Sequence, residues 1–318
     1  EKLELFQVDL LDGPEAWEAA CKDCKFVAHT ASPFFVGASE AEAEEKLYKP
    51  ARDGTLNVLN AAFNAGTVKR VVLTSSITTM IKGHYNIPRP LTDPESWYLN
   101  LDNADPYCRS KFFAEQAAFD FVMEKNKAGF PCFDLCTLNP TMLIGPPLNS
   151  GWATSHQIAR HILFGELPAL PKAYMGIVDV RTVAEAHVVA IETPEAGGER
   201  FCCQGKSISY MDWSQTLGEE FRPLGYTYIR LSLPTCISKM ASYLMSDLKA
   251  IREDLGKGPM EVDCSKFSST LGLEFSDHKQ LLLDHAHGCI RMGIPGFKMT
   301  PAYEKYLKNT KVTPYIPL

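Results

Sequence analysis

The chain has no long apolar run. Nothing in its 318 residues approaches the ~18 consecutive apolar residues of a membrane-spanning helix. It also lacks an excess of basic charge. Lys and Arg total 32 against 38 Asp and Glu, a net charge of -6 with a pI of about 5.8, which argues against nucleic acid as a main partner. No internal repeat and no low-complexity segment is present, and the composition excludes collagen-like, disordered and coiled-coil classes. No signal-peptide pattern opens the chain, whose first residue is Glu1 rather than Met. The ten cysteines lack metal-site spacing. Cys21-Lys22-Asp23-Cys24 is formally a CxxC pair, but no second ligand pair stands at zinc spacing. Buried free thiols in a reducing compartment are expected, and no metal.

What is there is a globular composition, with 45% apolar and 22% charged residues, enough to bury a sizeable core. Strand-like and helix-like segments alternate through the first half. Leu3–Val8 alternates apolar and polar and is predicted as a strand. Glu15–Cys21 follows as a short helix, then Lys25–His29 as a strand. Ala41–Lys49 and Gly54–Ala65 are helical, with a break or kink at Pro50. Arg70–Thr74 is a buried β-branched strand running into Ser75-Ser76. A polar loop with Pro88, Pro90 and Pro94 leads to a long helix near Tyr107–Lys125, whose apolar positions recur at spacings of three and four. Phe133–Leu138 is the next strand. This order predicts a parallel sheet with helices on both faces and right-handed crossovers. Its ligand crevice lies beyond the carboxyl ends of the strands, here His29-Thr30-Ala31-Ser32, Thr74-Ser75-Ser76 and Asn139-Pro140-Thr141.

The second half is less regular. Helices are expected over Asp179–Glu192, within Leu233–Leu255 and over Lys279–Arg291. Short strands are expected near Arg200–Cys203 and Tyr226–Leu233, and a loosely packed tail over Lys305–Leu318. The expected division is a sheet domain over 1–150 and a smaller α+β substrate lobe over 151–318, with residues near 175–195 returning to the first.

The strongest chemical signal is Tyr107-Cys108-Arg109-Ser110-Lys111. Positions four apart share a helix face, so the Lys111 ammonium stands near the Tyr107 hydroxyl. A nearby cation favours phenolate, and a tyrosine tuned that way can donate a proton to a developing alkoxide. Ser76 ends a buried strand upstream and supplies a hydroxyl for a substrate oxygen.

Taken together, these motifs resemble the extended short-chain dehydrogenase/reductases, and within them the dihydroflavonol reductase, cinnamoyl-CoA reductase and fungal ketone/aldehyde reductase group. The resemblance runs through Val8-Asp9-Leu10, His29–Pro33, Gly54–Leu59, Thr74–Ser76, Tyr107–Glu115, Asn139–Pro146, Val178–Ala184 and the late segment Cys264–Phe275. It implies a Rossmann-like doubly wound sheet. By the same resemblance Tyr107 is the general acid/base, Lys111 lowers its pKa and holds the nicotinamide ribose, and Ser76 holds the substrate carbonyl. Asp9 and Leu10 flank the adenine. Thr30, Ala31 and Ser32 line the ribose and pyrophosphate path, Thr74 the nicotinamide side, and Pro140 and Met142 the nicotinamide face and carboxamide. The substrate side is expected near Met80 and Ile81, Ile144 to Trp152, and Tyr174 to Ile177. The cofactor expected is NADP(H) rather than NAD(H).

Two features depart from the group. The GxxGxxG turn that cradles pyrophosphate on a helix N-terminus does not occur, and the chain starts at what resembles the group's third strand. About sixty residues of the pattern are absent, judged by βαβ size. A fragment is expected, the alternative being a chain without that cradle. Asp105-Pro106-Tyr107-Cys108 also stands where cinnamoyl-CoA reductases carry Asn-Trp-Tyr-Cys, and Ile81 where flavonoid reductases place an amide. An aldehyde/ketone reductase is therefore expected, taking a small-molecule carbonyl or alcohol, cytoplasmic, monomeric or homodimeric, with no nucleic acid or membrane partner. The alternatives are a hydroxysteroid dehydrogenase/isomerase, a nucleotide-sugar epimerase or dehydratase, and a non-catalytic scaffold or relic.

Overall fold

A computed structural model describes residues 3–34, 39–81, 101, 104–243, 245, 248 and 251–310. The proline-bearing loop expected before Tyr107 lies mostly outside them. The strands are β1 (Phe26–His29), β2 (Arg70–Thr74), β3 (Asp134–Pro140), β4 (Met142–Ile144), β5 (Leu170–Pro171), β6 (Tyr174–Asp179), β7 (Arg200–Cys203), β8 (Lys206–Ser209) and β9 (Ser232–Leu233). The helices are α1 (Pro14–Cys21), α2 (Glu40–Ala43), α3 (Lys49–Ala65), α4 (Thr78–Ile81), α5 (Pro106–Lys127), α6 (His156–Leu163), α7 (Val180–Glu192), α8 (Tyr210–Phe221), α9 (Thr235–Ala241), α10 (Ser265–Leu271), α11 (His278–Arg291) and α12 (Pro301–Asn309). They form two compact units.

The first unit comprises Glu1–Thr141, Val183–Cys203 and Val262–Glu274. Its sheet has the order β1-β2-β3-β7, parallel throughout. Residues i and i+2 of a strand share a face, and β2 shows the consequence. Val71 and Leu73 pack with Leu135 under α1, α3 and α5, in a core holding Cys21, Leu59, Ala118 and Phe121. Arg70 and Thr74 face the other way, where the Arg70 guanidinium donates to the Ala190 carbonyl at 2.8 Å and Thr74 meets His187 of α7. Helices therefore cover both faces.

Pro50 does not break the helical segment. A π-helical turn over Glu44–Tyr48 joins α2 to α3, and Pro50 falls in the first turn of α3, where a missing N–H is tolerated. Gly66, at φ 68°, ends α3 in the left-handed region. In α5 the Asp105 side chain accepts from the Cys108 N–H, Pro106 takes the first turn, and Lys125 and Lys127 face the negative end of the helix dipole.

The second unit comprises Met142–Thr182, Gln204–Glu261 and Phe275–Leu318. Its sheet β4-β6-β8 is mixed, β4 parallel and β8 antiparallel to β6. The core gathers Trp213, Leu217 and Phe221 of α8, Leu281 and Leu282 of α11, and Tyr303 of α12.

Three further sequence expectations need correction. Leu3–Val8 forms no strand. A strand exists as a hydrogen-bonded ladder, and among the described residues this segment pairs with none, leaving Leu3 and Leu5 77% and 85% exposed. Within Tyr226–Leu233 only Ser232–Leu233 is a strand. The Ser214 hydroxyl takes up both backbone groups of Ile229, at 3.0 and 2.7 Å, so no ladder forms there. Lys305–Asn309 belongs to α12, because Thr300 caps that helix and buried Tyr303 anchors it.

Leu59 is fully buried at the centre of the first unit's core. Leu59→Ala is expected to lower unfolding free energy by about 2–5 kcal/mol, read from urea midpoints. A midpoint equal to wild type would place Leu59 outside the core.

Candidate active site

Three strand ends meet at one edge of the first unit. The β2 strand runs out through Thr74, Ser75 and Ser76, and β3 through Asn139 and Pro140, beside β1 ending in His29. The Ser75 N–H donates to the Leu138 carbonyl at 2.8 Å and the Ile77 N–H to the Pro140 carbonyl at 3.0 Å, so the parallel pairing continues past the last β2 residue.

Glu115 fixes this edge. It is fully buried on α5. Its carboxylate accepts from the Ser75 hydroxyl at 2.5 Å, from Asn139 Nδ2 at 3.0 Å and from Arg200 Nε at 2.7 Å. The Thr137 hydroxyl stands 3.1 Å away. Arg200 also donates to Thr79 Oγ1 at 3.2 Å, and Asn139 Nδ2 to the same hydroxyl at 3.0 Å. One carboxylate on α5 thus joins the segment just past β2 to β3 and β7, and Asn139 and Arg200 carry the network on to α4. A buried charge is tolerated only when it is paired and hydrogen-bonded in this way.

Ser76 is buried. Its Oγ accepts from the Thr78 N–H at 3.3 Å and from the Thr78 hydroxyl at 3.0 Å, which leaves its own proton for an acceptor outside the turn. Thr74 Oγ1 is 2.6 Å from His187 Nε2, and His187 Nδ1 is 2.8 Å from the Val183 carbonyl. That carbonyl can only accept, so the ring proton is on Nδ1 and Thr74 donates to Nε2. Burial pushes the His187 pKa below its usual range, in keeping with a neutral ring.

Tyr107 and Lys111 lie one turn apart on α5, and α4, which follows Ser76, packs against that helix. The Tyr107 ring meets Phe34 edge-on, centroids 4.9 Å apart. Burial pulls the Lys111 pKa down to about 8, against the opposing effect of the Glu115 carboxylate. Lys111 forms no ion pair among the described residues. His29 is 4% exposed, its pKa is lowered to about 4 by burial and then by Lys111, and its Nε2 has no hydrogen-bond partner. A desolvated ammonium thus stands near an imidazole nitrogen that has no hydrogen-bond partner among the described residues.

The other expected residues are dispersed. Asp9 is exposed and holds a local turn, its carboxylate accepting from the Leu11 N–H at 2.9 Å. The Leu10 carbonyl accepts from Asn57 Nδ2 at 2.9 Å, and a Cβ at Gly54 would come 3.0 Å from Leu10 Cβ, so Gly54 lets α3 lie against this turn. Thr30 and Ala31 are exposed and Ser32 half-buried. Pro140 is buried at the end of β3. Met142, Ile144, Trp152 and Tyr174 belong to the second unit. There Ile144 is a core residue, 2% exposed, whereas Trp152 and Tyr174 are 43% and 38% exposed. The side chain of Ile81 lies outside the described residues. Sequence reasoning named His29 at a strand end bordering the crevice, but missed Glu115, Arg200 and His187 as site residues. Glu115 alone carried a signal, at four and eight residues beyond Lys111 and Tyr107 on one helix face.

All ten cysteines are free, and Cys236 is exposed. No helix among the described residues is long and apolar enough to cross a membrane.

The profile of the 3-beta hydroxysteroid dehydrogenase/isomerase family matches residues 1–221. A cinnamoyl-CoA reductase of Medicago truncatula is 35% identical over 280 residues, 85% of this chain and 80% of the relative. The NADPH-dependent methylglyoxal reductase of Saccharomyces cerevisiae is 33% identical over 215 residues, 63% of this chain and 62% of the relative. The crystal structure of the yeast methylglyoxal/isovaleraldehyde reductase complexed with NADPH superposes with a TM-score of 0.71 at 28% identity, covering 90% of this chain and 83% of the other.

Two outcomes follow from this geometry. Glu115→Gln strips Arg200 of its buried counter-charge and is expected to cost about 3–5 kcal/mol, whereas Glu44→Gln, at an exposed ion pair with Arg52, costs about 1 kcal/mol or less. Urea unfolding of both variants checks the difference. Lys111 in the folded chain titrates near 8, below the 10.5 of a free lysine. Between those values the unfolded chain binds the proton that the folded chain has released, so stability rises with pH across that window. The rise is lost in Lys111→Met, as midpoints at pH values spanning the window will read.

Proposed function

This chain belongs to the 3-beta hydroxysteroid dehydrogenase/isomerase family, and from that premise we propose that it reduces small or medium aldehydes and ketones to alcohols. It is an NADPH-dependent oxidoreductase of the extended short-chain type, acting on carbonyl groups. The observation that carries the substrate reading is the start of α5. Asp105 and Pro106 there are spent on capping the helix, immediately before Tyr107, and leave no amide or indole for a larger substrate. The substrates named for the yeast methylglyoxal/isovaleraldehyde reductase support the same class.

Bound NADPH supplies the hydride. Lys111 binds the ribose next to the nicotinamide, and its ammonium favours phenolate at Tyr107. Tyr107 gives its hydroxyl proton to the carbonyl oxygen as charge develops there. Ser76, with both Thr78 donors aimed at its Oγ, turns its own proton to the same oxygen and fixes the angle of the carbonyl. Thr74, locked by neutral His187, borders the nicotinamide side. Thr30, Ala31, Ser32, Asp9 and Leu10 carry the pyrophosphate, ribose and adenine path, and Pro140 and Met142 the nicotinamide face. The first unit is the cofactor domain and the second, through Trp152 and Tyr174, the substrate lobe.

The test is NADPH oxidation, with NADH in parallel, against methylglyoxal, short aldehydes and ketones, cinnamoyl-CoA and a 3-keto steroid. Turnover is expected with the small carbonyls, and a clear preference for the thioester or the steroid would overturn the reading. Tyr107→Phe should lower kcat by about 10²–10⁴-fold while NADPH affinity, read by fluorescence titration, stays within about twofold. Lys111→Met should weaken both, and unchanged NADPH affinity in that variant removes its ribose role.

A further inference from the structure

A second constellation lies inside the second unit, where the Trp152 ring meets that of His156 edge-on, centroids 6.0 Å apart. His156, His285 and Cys289 are each buried, and one ligand atom from each lies within 4.8 Å of the other two. Cys289 Sγ is 3.5 Å from His156 Nδ1 and 3.9 Å from His285 Nε2. In a tetrahedral zinc site, bond lengths of about 2.3 Å to sulfur and 2.0–2.1 Å to nitrogen put S and N about 3.6 Å apart. The two sulfur–nitrogen distances found here bracket that value.

The imidazoles are prepared for such a role. His285 Nδ1 lies 2.8 Å from the Gly145 carbonyl oxygen and 3.2 Å from the Gly145 nitrogen, so this turn holds the ring with Nε2 3.9 Å from the sulfur. This backbone-carbonyl support of the second ring nitrogen is the usual arrangement behind a metal-bound histidine. Burial keeps both rings neutral, the form that coordinates. His285 and Cys289 stand four apart on α11 and project to one side, and His156 opens α6.

We propose that His156, His285 and Cys289 form a binding site for a single zinc ion, with water as the fourth ligand. The ion would join the first turn of α6 to α11 and the Gly145 turn, a connection that spans well over a hundred residues of sequence. Binding forms one Zn–S and two Zn–N bonds, and the thiol proton leaves to solvent.

The probe is Co²⁺, added under reducing, oxygen-free conditions to the intact chain after treatment with chelator. Wild type is expected to take up one equivalent, with a thiolate-to-cobalt charge-transfer band and the strong visible bands of a four-coordinate ion, all abolished by equimolar Zn²⁺. The double variant Cys21→Ser/Cys24→Ser should keep that spectrum. Cys289→Ser should lose the charge-transfer band, and His156→Gln, at the least buried ligand, should weaken affinity at least tenfold. The proposal is overturned if wild type takes up no stoichiometric cobalt, which requires no variant to fold. It is equally overturned if the band survives Cys289→Ser, disappears in the Cys21/Cys24 variant, or is unchanged in affinity by His156→Gln.

Discussion

The buried contact between Glu115 and Arg200 is the constraint on which the first unit depends. A carboxylate with no exposure is strongly penalised unless every oxygen lone pair is used. Here the partners are Ser75 just past β2, Thr137 and Asn139 of β3 and Arg200 of β7. Satisfying the charge therefore fixes the register of the strand ends relative to α5. Because Tyr107 and Lys111 ride on that helix, one buried charge sets both where the strands stop and where those two side chains stand. The same carboxylate opposes the loss of charge at Lys111, so one group both ties the strand ends together and favours the Lys111 ammonium.

The far face of the sheet is held by a different device. Arg70 reaches the carbonyls at the end of α7, among them Ala190, and His187 from the same helix takes the Thr74 proton. Both contacts follow from strand alternation, which sends alternate β2 side chains toward α7. A polar residue within a buried parallel strand looks misplaced in isolation. It becomes comprehensible once the helix above it offers unpaired carbonyls or a neutral imidazole.

The elements that carry Tyr107, Lys111 and Ser76 were legible in the sequence because they rest on local rules. The Tyr107–Lys111 spacing needs only a helix, and Asp105-Pro106 announces where that helix starts. Ser76 follows a strand recognisable from Arg70-Val71-Val72-Leu73. Glu115, Arg200 and His187 come together from distant segments, and no local rule joins them. The Leu3–Val8 alternation misled for the converse reason, since pairing is a property of two segments and the pattern belongs to one. His156 was hidden from His285 and Cys289 by sequence distance, although the last two show helical spacing.

The distribution of thiols gives the chain an internal gauge of its own opening. Cys136 and Cys203 are interior strand residues, and burial pushes the Cys136 thiol up to about 12 and that of Cys203 well above its usual range. Thiolate is the reactive form, so an alkylating reagent meets almost none of it at these positions while the sheet is intact. Cys236 is exposed and is available to the same reagent at once. The order in which cysteines become labelled thus separates surface reaction from fraying and fraying from global unfolding, without any introduced probe. A marginal preparation would reveal itself by β3 and β7 labelling before any change in average secondary structure.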